Sequence, residues 1–151
     1  MNPDVNDAVD IAHLIQVALT PIFLMTAVGV TLNVLTNRLA RIVDRARHLE
    51  LGLSRADPAN TGANAEVHRQ LAVLARRSGY INGAITLIIA SGLLISLVVV
   101  MLFVNAFLRW NLAASIAIVF VLSMFSLALS LLAFLIEVRI ATSALRIGVA
   151  R

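Results

Sequence analysis

The sequence contains three long stretches without a single Asp, Glu, Lys or Arg residue. These stretches comprise residues 11–37, 78–108 and 110–136. Each is longer than the roughly 20 residues with which an α-helix crosses about 30 Å of hydrocarbon. A small soluble core has too little volume to bury so many apolar side chains. The pattern therefore predicts an all-α protein with three transmembrane helices, at about 12–36, 79–108 and 111–136.

The composition and the amino-terminal flank support this prediction. Of the 151 residues, 60% are hydrophobic and 13% are charged, whereas about 25% charged residues are typical of a soluble domain. The segment before the first span, MNPDVNDAVD, contains aspartates and no basic residue. A cleaved signal peptide begins with positive charge, so we expect the first span to remain in the mature protein. Residues 1–151 are predicted to form a single membrane domain.

The distribution of arginine predicts the orientation of the spans. All 12 basic residues are arginines, and eleven of them lie between the first and second spans or after the third. Only Arg109 lies between the second and third spans. Basic residues concentrate on the cytoplasmic side of membrane proteins. We therefore expect the amino terminus outside and the carboxyl terminus inside. Because topology accounts for the positive charge, we expect no nucleic-acid partner.

The connection between the first two spans has the pattern of a helical hairpin. In LTNRLARIVDRARHLE (35–50), leucine and isoleucine recur at helical spacing, which predicts that the first helix continues past the membrane. The segment SRADPANTGAN (54–64) has the composition of a loop, and Asn64 is a suitable cap for the next helix. Residues 37–78 are thus predicted to form a cytoplasmic hairpin that extends helices one and two.

The sequence lacks the motifs of an enzyme or a metal site. There is no cysteine, which excludes thiol catalysis and disulfides. The three histidines, His13, His48 and His68, do not have the spacing of a zinc motif. No nucleophile elbow and no phosphate-binding glycine loop is present. We therefore expect no catalytic activity, no cofactor and no bound metal.

Polar residues of the first helix fall on two neighbouring arcs. The first arc comprises Gln16, Thr20, Thr31, Arg38, Arg41 and Arg45. Polar groups at membrane depth face protein or water, so this arc is a candidate for the lining of a pore with arginines at its cytoplasmic mouth. The second arc, Thr26, Asn33 and Asn37, is a candidate for helix packing. The alternative for the first arc is that its polar residues pack helices together, while its arginines only set the orientation of the spans.

Small and polar residues also mark the other two helices. The candidates for helix packing are Gly79, Gly83 and Thr86 on the second helix and Ser126 and Ser130 on the third. Small residues permit close contact between helices, within one chain or between subunits. Glu137 ends the third uncharged stretch, and we predict an interfacial ion pair with a nearby arginine such as Arg139 or Arg76.

The sequence of the first helix is also similar to that of a known family. The segment IAHLIQVALTPIFLMTAVGVTLNVLTNRLARIVDRAR (11–47), and LNVLTNRLARIVDRAR (32–47) in particular, resembles the bacterial membrane family catalogued as domain of unknown function 2721. The resemblance covers most of the chain and implies three spans, a basic link after the first span and a bacterial inner membrane. It implies no activity, cofactor or catalytic residue.

Two functional hypotheses follow from these features. Three membrane-spanning helices are too few to enclose a pore by themselves, so we expect a homo-oligomer. In the first hypothesis the oligomer is an ion channel, with helix one lining the pore. In the second it is a non-conducting scaffold or accessory protein whose cytoplasmic hairpin binds a protein partner or anionic lipid.

Overall fold

The fold consists of three long α-helices. The computed structural model describes residues 3–55, 61–108 and 111–146, with side chains at 11–13, 15–55, 62, 64–108 and 111–142. The helices are α1 (Pro3–Arg55), α2 (Thr61–Leu108) and α3 (Ala113–Arg146), and no strand occurs in these ranges. Each helix is long and apolar enough to cross a membrane. The predicted all-α fold with three membrane-spanning helices is confirmed, while its orientation stays a prediction.

Two helix starts differ from the predicted positions. Asn64 lies inside α2 and not at its cap, because α2 already begins at Thr61, itself a residue type favoured at helix starts. The third helix begins at Ala113 and not near Asn111. The Leu112 carbonyl accepts its first helical hydrogen bond, from Ile116 N at 2.9 Å. Arg109 lies outside the described residues.

The three helices contribute to two compact units. The first unit comprises Met1–Leu32 and Leu87–Ala128, and the second comprises Asn33–Thr86 and Leu129–Arg151. Each unit therefore contains one segment of α1, one of α2 and one of α3. All the described residues of the predicted hairpin, 37–55 and 61–78, fall in the second unit.

In the first unit, serine side chains join α2 to α3. Ser91 Oγ donates a hydrogen bond to Ser123 O at 2.9 Å, and Ser126 Oγ donates one to Leu87 O at 2.7 Å. Ser91 and Ser123 have no exposed surface. Small hydroxyl side chains let helices approach closely and satisfy their own polar atoms at the contact. The buried apolar residues of this unit are Ala18, Val28, Ile88, Ile95 and Val98.

In the second unit, a serine side chain also joins α3 to the backbone of α2. Ser130 Oγ donates a hydrogen bond to Ala84 O at 2.8 Å, and neither residue has exposed surface. The buried apolar residues of this unit are Leu35, Ile42, Ile81 and Ala84. Ser126 and Ser130, both candidates for helix packing, thus bind the backbone of α2 from α3.

Large apolar side chains cover much of the helix surface. Phe23 is 70% exposed, Leu93 68%, Phe107 78% and Phe125 65%. Apolar surface in water is unfavourable by about 25 cal/mol per Å², and extended apolar surfaces mark contacts with membrane or protein. The structure is therefore that of a multi-pass membrane protein.

Candidate anion-binding site

Glu137 is fully buried in the second unit and lies between two arginines. Its Oε1 atom accepts hydrogen bonds from Arg77 Nε at 3.1 Å and from Arg77 Nη2 at 2.7 Å. Its Oε2 atom lies 3.5 Å from Arg38 Nη1 and accepts no hydrogen bond from the described residues. This carboxylate on α3 therefore joins α1 and α2.

The helical repeat of α3 explains why Glu137 points into the unit. Ser123, Ser130 and Glu137 recur at intervals of seven and have no exposed surface. Seven residues complete almost two turns, so the three side chains share one face. Arg139 lies about 200° further round the helix, and it is exposed. The pairing of Glu137 with Arg139 is therefore wrong, and Arg77 and Arg38 take its place.

Arg38 makes a second contact with α3. Its guanidinium carbon lies 5.2 Å from the centre of the Phe134 ring, within the range of a cation–π interaction. Phe134 precedes Glu137 by one turn, so the two side chains are neighbours on α3. The Arg38 side chain is 33% exposed and that of Arg77 is 22% exposed. Both arginines therefore keep contact with solvent, whereas the carboxylate has none.

The Glu137 cluster has an excess of positive charge. Burying a carboxylate costs several kcal/mol unless nearby cations and hydrogen bonds offset the loss of water. Arg77 supplies both hydrogen bonds, and Arg38 adds its charge at longer range. Two guanidinium groups then face one carboxylate, which leaves a formal charge of about +1 on the cluster.

The two arginines also line a cavity of about 350 Å³. We call it the arginine cavity, and its lining consists of Arg38, Arg41, Arg45 and Arg77 with Ile42 and Leu74. The spacings of three and four residues place Arg38, Arg41 and Arg45 on one face of α1. No carboxylate lines the cavity among the described residues. The three arginines of the first arc on α1 therefore line this cavity together with residues of α2 of the same chain.

Arg41 and Arg45 differ from the other two arginines of the cavity. Both are exposed, and neither forms an ion pair with a described residue. Their charge is therefore available to an anion, whereas Arg38 and Arg77 share the charge of Glu137. The arrangement can hold a compact anion by hydrogen bonds from planar guanidinium groups, which match the oxygens of carboxylate and phosphate.

A larger cavity, of about 590 Å³, lies in the first unit. His13, Gln16 and Thr20 from α1 form its polar part, and α2 and α3 supply apolar side chains such as Val98 and Phe120. The structure thus brings Gln16 and Thr20 to one cavity, in company with helices of the same chain. His13 was not among the pore candidates, although its spacing of three residues from Gln16 places it on the same face.

The other polar residues of α1 divide between half-buried and exposed positions. Thr31 is half-buried and donates a hydrogen bond to Ala27 O at 2.9 Å. Thr26, Asn33 and Asn37 are exposed. Asn37 Nδ2 donates a hydrogen bond to Asn33 Oδ1 at 3.0 Å. These three packing candidates of α1 therefore point outward, away from the other helices of their own chain.

The packing candidates on α2 also face outward. Gly79 and Gly83 are exposed, and no heavy atom would lie within 4 Å of a Cβ at either position. Thr86 is exposed and donates a hydrogen bond to Asn82 O at 3.0 Å in its own helix. These residues do not pack helices together within the chain. Their packing between subunits stays a prediction.

Sequence reasoning missed Arg77 and Phe134. Arg77 begins a stripe that continues through Ile81, Ala84 and Ile88, with spacings of four, three and four residues, and the last three have no exposed surface. Arg76, named as a partner for Glu137, lies outside this stripe and is exposed. Extending the apolar stripe of α2 by one turn would have selected Arg77.

Comparison with known families identifies the chain. The model of a family described as protein of unknown function (DUF2721) matches residues 18–147. The chain belongs to this family. The part that matches DUF2721 contains Glu137 and all the residues that line the arginine cavity. Comparisons with curated proteins and with solved structures found no match.

Proposed function

We propose that this DUF2721 protein is a homo-oligomeric scaffold or accessory protein of a bacterial inner membrane, which does not conduct ions. Its basic cytoplasmic end would bind an anionic partner. The observation that favours this role is the position of Arg38, which contacts Glu137 and Phe134 of its own chain. Arg38 is thus engaged by α3 of its own chain, which favours a role other than lining a pore between subunits.

The proposal of a homo-oligomer is supported by the exposed amides of α1. Asn33 lies in the first uncharged stretch and Asn37 at its end. Their mutual hydrogen bond leaves Asn33 Nδ2 and Asn37 Oδ1 without partners among the described residues. Asn33 lies one turn deeper in the uncharged stretch than Asn37, where lipid tails cannot hydrogen-bond to its Nδ2 group, whereas polar side chains of another helix can. A second copy of the chain would supply such a helix.

The proposed cytoplasmic location of the basic end follows from the arginine distribution. Arg38 directly follows the first uncharged stretch, and Arg77 directly precedes the second. The positive-inside rule places these ends of the spans, and the link between them, on the cytoplasmic side. The arginine cavity would then open near the inner headgroup layer.

An ion channel is the second candidate function. It is favoured by the cavities, because α1 supplies polar side chains to the lining of each: His13, Gln16 and Thr20 in one, and Arg38, Arg41 and Arg45 in the other. Water-accessible polar positions along one helix are what a pore-lining helix requires. In this alternative, α1 lines an oligomeric pore with arginines at its mouth.

Ion flux in liposomes separates the two functions. We expect vesicles with the purified full-length protein to release a trapped ion no faster than protein-free vesicles, over a wide range of voltage and osmotic tension. A pore-forming peptide serves as the positive control. Conduction whose anion preference falls in Arg41→Glu would contradict the accessory role and support the channel, because Arg41 is exposed and lines the arginine cavity.

A further inference from the structure

We infer that the arginine cavity is a binding site for a phosphate group. The inference names the chemistry of the anionic partner, and in that respect it rests on the proposed function. Four arginines are among the six residues that line about 350 Å³ of space, and no Asp or Glu residue lines it. This space exceeds by far the volume of about 30 Å³ that one water molecule occupies in the liquid, so a tetrahedral oxyanion fits with part of its hydration.

The charge balance of the cavity favours binding of an anion. Four arginines contribute positive charge, and Glu137 forms ion pairs with two of them, Arg38 and Arg77. Arg41 and Arg45 have no such partner among the described residues. Like charges that converge on one space repel each other, and a bound anion removes this repulsion. A phosphate group carries the charge that the cavity lacks.

The geometry of the donors favours phosphate. Guanidinium groups are planar and present paired N–H donors, which match two oxygens of one phosphate. Arg38 and Arg77 are held in place by Glu137, so they need little ordering when a ligand binds. Glu137 acts here as a positioning residue, because it contacts Arg38 and Arg77 and is not part of the lining.

The position along the chain favours a lipid as the source of the phosphate. Arg38, Arg77 and Glu137 each lie directly beside one of the three uncharged stretches. In a membrane these are the positions of the headgroup layer, where clusters of arginine bind anionic lipids. Soluble phosphate is the other source with the same chemistry.

The test measures binding of three probes to the full chain in detergent by native mass spectrometry. The probes are short-chain phosphatidylglycerol, short-chain phosphatidylcholine and inorganic phosphate. The informative variant is Arg41→Gln/Arg45→Gln, which removes two lining arginines without touching the Glu137 contacts. The control is Arg47→Gln/Arg55→Gln, because both arginines are exposed on α1 and lie outside the cavity.

We expect phosphatidylglycerol to bind more tightly than phosphatidylcholine, and the Arg41→Gln/Arg45→Gln variant to lose about tenfold or more in affinity for it. The control should retain the affinity of the native chain. Binding of inorganic phosphate alone, with the same dependence on Arg41 and Arg45, also supports the site and assigns it to soluble phosphate. Equal losses in both double variants, or no binding of any probe, would overturn the inference.

The two proposals fail in different ways. A protein that forms oligomers and does not conduct, yet binds no probe, retains its proposed role and loses only the phosphate site. A protein that conducts ions loses the accessory role, whatever it binds. Circular dichroism of each variant shows that it is folded, and substitution of Arg45 alone provides a milder variant if the double one is not.

Discussion

Replacement of Arg77 by alanine is expected to destabilise the protein by about 3–5 kcal/mol. Arg77 supplies both hydrogen bonds that the buried Glu137 carboxylate accepts. Without them, the nearest remaining partner in the cluster is Arg38, 3.5 Å from the other carboxylate oxygen. A buried carboxylate with so little compensation is unfavourable by several kcal/mol. The free energy of unfolding, measured in mixed micelles by circular dichroism, checks this value.

The adjacent arginine provides the matched control for Arg77. Arg76 is exposed and forms no ion pair with a described residue, so Arg76→Ala should change the free energy of unfolding by less than about 0.5 kcal/mol. Adding Glu137→Ala to Arg77→Ala should restore part of the loss, because the uncompensated carboxylate is then gone. Equal effects of Arg76→Ala and Arg77→Ala would contradict the buried ion pair.

Gly92→Leu is expected to destabilise the first unit by about 1–3 kcal/mol. Gly92 is buried, and a Cβ at this position would lie 3.3 Å from Val28 Cγ1 and 3.8 Å from Met25 Sδ. A leucine adds further atoms beyond the Cβ, so α1 and α2 must separate or their side chains must leave preferred rotamers. The same unfolding measurement in mixed micelles applies to this variant.

Gly29→Leu is the control for the glycine prediction. Gly29 is exposed on α1, and no heavy atom would lie within 4 Å of a Cβ there. Leucine forms helices more readily than glycine, by about 0.8 kcal/mol in a helix interior. This variant should therefore be as stable as the native chain or more stable. If Gly92→Leu were also neutral, α1 and α2 would not approach each other closely at this point.

The presence of three membrane-spanning helices could be predicted from the sequence alone. Hydrocarbon excludes charge, so three uncharged stretches leave few alternatives. Ser126 and Ser130 were also identified correctly as contacts, since a serine in an apolar helix requires a hydrogen-bond partner. These features depend on one helix at a time, and the local sequence is sufficient to find them.

The composition of the candidate site could not be predicted in the same way. Glu137 was recognised as unusual, but its partners depend on which faces of α1 and α2 turn towards α3. Arg139 is close in sequence and lies on the wrong side of the helix, whereas Arg77 is 60 residues away and donates to Glu137. Similarly, periodicity separates two arcs on α1 and does not determine which one faces the chain. Only the packing of the three helices decides these questions.

In the proposed homo-oligomer, Asn33 and Asn37 face a second copy of the chain, whereas Thr20 lines the cavity of the first unit and Thr31 is half-buried. The chain has no cysteine, so single cysteines can be placed on each arc and oxidised in the membrane. Disulfides require Cα atoms within about 7 Å of each other. We expect covalent dimers from Asn33→Cys or Asn37→Cys, and none from Thr20→Cys or Thr31→Cys. Dimers from Thr20→Cys and Thr31→Cys, with none from the asparagine positions, would place the pore-candidate arc between subunits and contradict the account.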